Sequence, residues 1–286
     1  MAGDSLIISV LGRPAKYRTT HVRMLERYNA YGIIGLFSDE SSRSPNVVGG
    51  QILERWESDI KKIVEEFGEG FIIDRHDLNL LSLAFDSNNG GMRENEAGKI
   101  EVVKLLRSIL KYTDYRTKFW NFDLSSGRRM IAPLVFLAIT YFREIQQNLK
   151  VGKLNWMKDI KFRFITKPVS PVYDQNDDSV NSSKKKSTIV REEIQSIMMF
   201  DLPFLSNNDV KILESWGKFD QQNELARHFE TQGIKIRESD ISKFKNGIMT
   251  KYGLVERANR RCLSKLGMEI LELYRLIYSE SKKCFD

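Results

Sequence analysis

Apolar positions recur at helical spacing over most of this chain, and near the C-terminus the recurrence changes in a diagnostic order. Over residues 222–229, Leu225, Ala226 and Phe229 share one helical face, and Gly233 ends the run. Over 238–252, Ile241, Phe244, Ile248 and Tyr252 form one apolar stripe, with Gly253 standing where a helix cap belongs. Two short runs, 254–258 and 260–264, then turn around Ala258 and Asn259, and an amphipathic helix opens at Lys265. Helix, turn, helix, hairpin, helix is the order of a winged-helix domain, predicted here over 207–278.

In that geometry the second helix of the pair enters the major groove of DNA, so the face opposite its stripe must carry groove chemistry. A helical wheel puts Ser239, Ser242, Lys243, Asn246 and Thr250 there. Lysine donates to guanine, asparagine bonds adenine through two contacts, and hydroxyls suit phosphates or either base type. Arg260 and Arg261 fall in the wing and suit phosphates.

The earlier pattern predicts further helices. Residues 51–67 are amphipathic, with an acidic outer face; 71–74 suit a short strand; 77–85 suit a compact helix, and 88–91 a turn. Residues 99–112 form a helix with Lys104, Arg107 and Lys111 off its apolar face, followed at 115–122 by alternating basic and aromatic residues. This pair reads as a second recognition helix with its wing. Residues 130–145 suit an apolar helix, 154–165 a strand, and 174–187 an exposed loop with almost no apolar side chain. The expected fold is therefore mainly α with small β hairpins. It has a basic arm at 1–19, a first winged-helix-like subdomain at 20–125, a linker subdomain at 126–200 and a second winged helix at 201–286.

Charge sharpens the picture. Residues 46–98 hold 5 basic against 11 acidic side chains, whereas 99–167 hold 15 against 5. A focused basic excess is what phosphate neutralisation requires. The arm adds Arg13, Lys16 and Arg18 with no neighbouring acid, and Pro14 keeps the residue before it extended, a form suited to entering a groove. Gly12-Arg13-Pro14 is like the core of a minor-groove AT-hook, although Leu11 replaces a basic residue, so either groove remains open to the arm. The start lacks a signal-peptide pattern and no apolar run reaches the length of a membrane span, so the expectation is a cytoplasmic protein with no membrane partner. Cys262 and Cys284 are too few for a disulfide framework.

Catalytic patterns are missing from the sequence. No proline is followed by aspartate, and Asp159-Ile160-Lys161 is the one acid-x-lysine triplet in a strand-like setting, without an upstream acid to complete a Mg²⁺ centre. His21, His76 and His228 are too dispersed for a metal motif, and no Ser or Cys triad is legible. The arm, helical region, connector and C-terminal winged helix together resemble the DNA-recognition portion of type IIS restriction endonucleases. That resemblance implies a non-catalytic reading module that binds one asymmetric double-stranded DNA site as a monomer. The cutting domain, with its Mg²⁺, would lie outside these residues, and no cofactor is expected within them. A winged-helix replication initiator or a transcription regulator is the alternative.

Overall fold

Four of the six residues of Ser5–Val10 (β1) are aliphatic and all six are buried, as a strand covered on both faces demands. The computed structural model describes residues 3–11, 21–38, 48–68, 70–78, 96–125, 131–149, 155–165, 201–256, 258–259 and 261–279. Within them β1 is the centre of a five-stranded sheet. Its other strands are Ala30–Ser38 (β2), Ile72–Leu78 (β3), Phe119–Asp123 (β4) and Lys161–Ile165 (β5), in the order β3-β2-β1-β4-β5. Every pairing is parallel. Parallel neighbours need crossovers, and helices supply them. His21–Arg27 (α1) follows β1, Val48–Phe67 (α2) follows β2, and Glu96–Lys111 (α3) follows β3; Ile131–Asn148 (α4) and the short Asn155–Lys158 (α5) follow β4.

Strand alternation sends side chains to two separate cores. Leu6, Ile8 and Val10 join Ile34, Leu36, Trp120 and Phe122 in the larger one, which also takes the apolar sides of α3 and α4. Ile7, Ile33 and Phe37 face the other way, against Met24 and Leu25 of α1 and Trp56 and Ile63 of α2. Gly35 of β2 leaves room on that side, because a Cβ there would sit 3.2 Å from the Trp56 ring.

Residues 201–279 add Asn207–Ser215 (α6), Gln222–Thr231 (α7), Glu238–Phe244 (α8, continuing through a π turn at Lys245–Met249) and Lys265–Tyr278 (α9). Ser206 caps α6 by accepting from the Asp209 N–H while the Asp209 carboxylate accepts from the Ser206 N–H. A single antiparallel bridge joins Val255 to Leu263. Gly267 lets α9 cross it closely: a Cβ would lie 2.1 Å from the Leu254 carbonyl oxygen.

This sheet overturns the expectation of a mainly α chain built from two winged-helix subdomains. The architecture is α/β. Three of its strands were hidden for physical reasons. Buried parallel strands read as short unbroken apolar runs, which lack the period of two that marks a half-exposed strand. The sequence pattern places Ser5–Val10 in a basic arm and Ala30–Ser38 in a helical subdomain. Residues 115–122, expected as a wing, instead lead into β4, which pairs with β1 on one side and β5 on the other. Because β5 belongs to the sheet, the sheet runs through the expected boundary at 125. The loop expected at 174–187 lies outside the described residues. Among the described residues no helix is long and apolar enough to cross a membrane.

Candidate functional site

Two constellations stand out, one exposed and one buried. The exposed one is built on α8. Arg237 donates its backbone N–H to Asp240 at 3.1 Å, which starts the helix and occupies that acid in a cap. Ile241 and Phe244 are buried, and the π turn then changes the phase: Met249, not Ile248, takes the fully buried place. The wheel drawn from the sequence assumed a uniform pitch, and an i→i+5 turn adds one residue to the circuit. The stripe is therefore displaced in its second half.

The outward residues remain together nonetheless. Ser239, Lys243, Asn246 and Thr250 are exposed and Ser242 is half-buried. Asn246 donates to the Ser242 hydroxyl at 3.3 Å, and the Thr250 hydroxyl donates to the Lys245 carbonyl at 2.7 Å, so Thr250 is partly engaged by its own helix. Over 235–251 there are five basic and two acidic residues, and one of the two acids is the capping Asp240. Lys251 and Tyr252 both bond the Asp201 carboxylate, at 2.8 and 2.9 Å, fastening the end of the helix to residue 201. The hydrogen bond from Lys251 holds the Asp201 carboxyl below its usual range.

Arg261 is ion-paired with Asp220 at 2.5 Å. Both border a pocket of about 210 Å³ that Trp216, Phe219, Gln222 and Lys245 also line. Arg260, Arg13, Lys16 and Arg18 lie outside the described residues.

Lys104 and Arg107 have other partners. They sit on α3, whose buried residues include Ile100, Val103, Leu106 and Leu110 and which packs against α9 as well as the sheet. Lys104 is 3.0 Å from Glu101 of the same helix. Arg107 meets Glu269 of α9 at 2.8 Å, although that carboxylate oxygen has no well-aligned hydrogen bond. The structure does not bring these two cations onto the α8 face.

The buried constellation has no counterpart in the sequence reading. At the carboxyl ends of β1 and β4, where the strand order reverses, Ser9 donates its hydroxyl to Asp123 at 3.0 Å. The same oxygen lies 3.1 Å from Nε2 of His21, whose Nδ1 lies 2.8 Å from the Asp59 carboxylate. Trp56 closes the group edge-on at 5.3 Å from the His21 ring. Ser9, His21 and Asp59 have the connectivity of a nucleophile, base and orienting acid. Their burial gives the arrangement a different character: Ser9 is 1% exposed and His21 9%, so no substrate reaches the hydroxyl in this conformation. Asn121, also on β4, is wholly buried, and neither polar atom of its side chain has a partner among the described residues. The four relay residues come from four elements, so no spacing along the chain announces them. Among the described residues no group of three His, Cys, Asp or Glu is placed to hold a metal ion.

His76 stands apart on β3, with burial pushing its imidazole below the usual range.

No protein-family model matches the sequence, and no curated protein matches it. Among solved structures the chain is similar to Enterococcus italicus Csm6 bound to cyclic hexa-2'-fluoro-hexa-dAMP, with a TM-score of 0.34 and 12% identity over 90% of this chain. The match covers 57% of the Csm6 chain. A superposition this loose carries no argument about activity.

Proposed function

We propose that this protein recognises a short double-stranded DNA site through the exposed face of α8, with Arg261 contacting phosphate. The observation that supports this most is the side-chain set Ser239, Lys243, Asn246 and Thr250, turned outward from a helix whose other side is buried. Lysine and asparagine together match guanine and adenine edges. The local basic excess favours a polyanion.

Two settings for such reading differ in stoichiometry. As the recognition module of a type IIS endonuclease, the chain binds one asymmetric site as a monomer and leaves cutting to a Mg²⁺-dependent domain elsewhere. As a regulator, it binds a repeated or palindromic site as a dimer. The parallel sheet favours the regulator as a layer beyond DNA reading, with its carboxyl edge at the β1–β4 reversal filled by the Ser9, His21, Asp59 and Asp123 group. A reading module has no need of such a layer.

Selection from random duplexes by gel shift tests the common claim. Lys243→Ala and Asn246→Ala each lose discrimination at one or two base pairs, costing about 1–3 kcal/mol. Arg261→Ala weakens all duplexes alike and lowers the salt slope by about one unit. Unchanged site preference in Asn246→Ala would overturn the assignment of α8. Mass measurement of the complex separates monomer from dimer, and cleavage on adding Mg²⁺ would overturn the non-catalytic reading of this chain.

A further inference from the structure

Glycine inside a helix needs a reason, since it leaves more backbone freedom to be lost on folding than any other residue. Gly267 of α9 has one, the nearby Leu254 carbonyl. Gly253 has another, a φ of +63° at the end of the helix. Gly247 has neither. It lies inside the π turn and is exposed; its φ is outside the left-handed region, and a Cβ built on it meets nothing within 4 Å. Fold and packing would both accept alanine there.

Its neighbours on the outward face are Lys243, Asn246 and Thr250, three to four residues away or adjacent, so the bare backbone lies among the side chains proposed to read bases. A side chain at that point would hold the helix off whatever those residues touch. π turns also concentrate at functional positions, and this one has its wider circuit at the same place.

We infer that Gly247 is a specificity-determining residue: its missing side chain lets α8 seat its backbone against the base edges of the duplex, within reach of Lys243 and Asn246. The inference rests on the DNA-binding reading above. Charge complementarity favours a polyanion as the occupant, given the five basic residues against two acidic ones over 235–251, and the base-matching side chains beside Gly247 make duplex DNA the one proposed.

The test uses the full chain with Gly247→Ala and Gly247→Leu, the duplex obtained by selection, and a scrambled duplex of equal length. In Gly247→Ala the melting temperature stays level or rises, because an exposed helical glycine has been replaced. Affinity for the selected duplex falls about tenfold or more, the equivalent of roughly 1.4 kcal/mol, and falls further in Gly247→Leu. Affinity for the scrambled duplex stays within about threefold, since phosphate contacts are untouched. A melting temperature lowered by several degrees would show that the glycine serves the fold and overturn the inference. Unchanged affinity for the selected duplex, or equal loss on both duplexes, would overturn it as well. If Lys243→Ala and Asn246→Ala lose discrimination while Gly247→Ala does not, this inference alone falls. A wild-type chain that selects no duplex removes both.

Discussion

His21 touches two other elements and is linked to a third. Its two ring nitrogens face Asp59 of α2 and Ser9 of β1, and Ser9 in turn holds Asp123 of β4. Ser9 gives its one hydrogen to Asp123, so its oxygen is left to accept from Nε2 of His21. Removing the imidazole strands the Asp59 carboxylate in a site where both side chains are about nine-tenths buried. Breaking a buried pair from one side costs about 3–5 kcal/mol, so His21→Ala is expected to lose that much stability in urea titration. A loss below about 1 kcal/mol would show that the relay does not hold these elements together. His21→Gln, which keeps a donor, is expected to lose less.

At the scale of elements, the seam between α4 and α9 is closed by hydroxyls. Tyr141 of α4 and Tyr274 of α9 both donate to the Pro203 carbonyl, at 2.8 and 3.1 Å, and Tyr278 donates to that of Leu205 at 2.9 Å. Burial raises all three phenols, Tyr278 to about 12. Unfolded tyrosine ionises at about 10, so the folded chain keeps protons that the unfolded chain releases. That stabilisation is complete below about pH 10 and is lost as pH rises toward the folded values. The urea midpoint is therefore expected to fall between about pH 10 and about pH 12, and Tyr278→Phe to shallow the slope. A level profile would contradict the burial of the seam.

Across the whole molecule, α3 is the shared wall. One side of it faces the sheet and another packs on α9, and the larger core runs without a break from Leu6 of β1 to Ile277 of α9. A contiguous core unfolds as one unit. Variants keeping only Trp120, in the sheet, or only Trp216, at the end of α6, are expected to give the same urea midpoint. Separate midpoints would show that residues 201–279 fold independently of the sheet.

Periodicity alone determined the helices at α2, α3, α4 and α7 to α9, since amphipathic stripes of this length are written by local spacing. It also located the polar side chains of α8 and the caps at Gly233 and Gly253. It did not distinguish a helix with an open polar face from one that fills a core. The stripe of α3 is broad enough to bury against two partners at once, and the cations on its remaining edge lie against Glu101 and Glu269. The parallel sheet was not legible for a related reason. Strands pair across dozens of residues, and a buried strand shows no alternation; Ser9 and Asp123 are 114 residues apart yet in register. Sequence set which faces are apolar. Only the tertiary structure decided which face meets which, because burial energy rewards covered area without naming the surface that covers it.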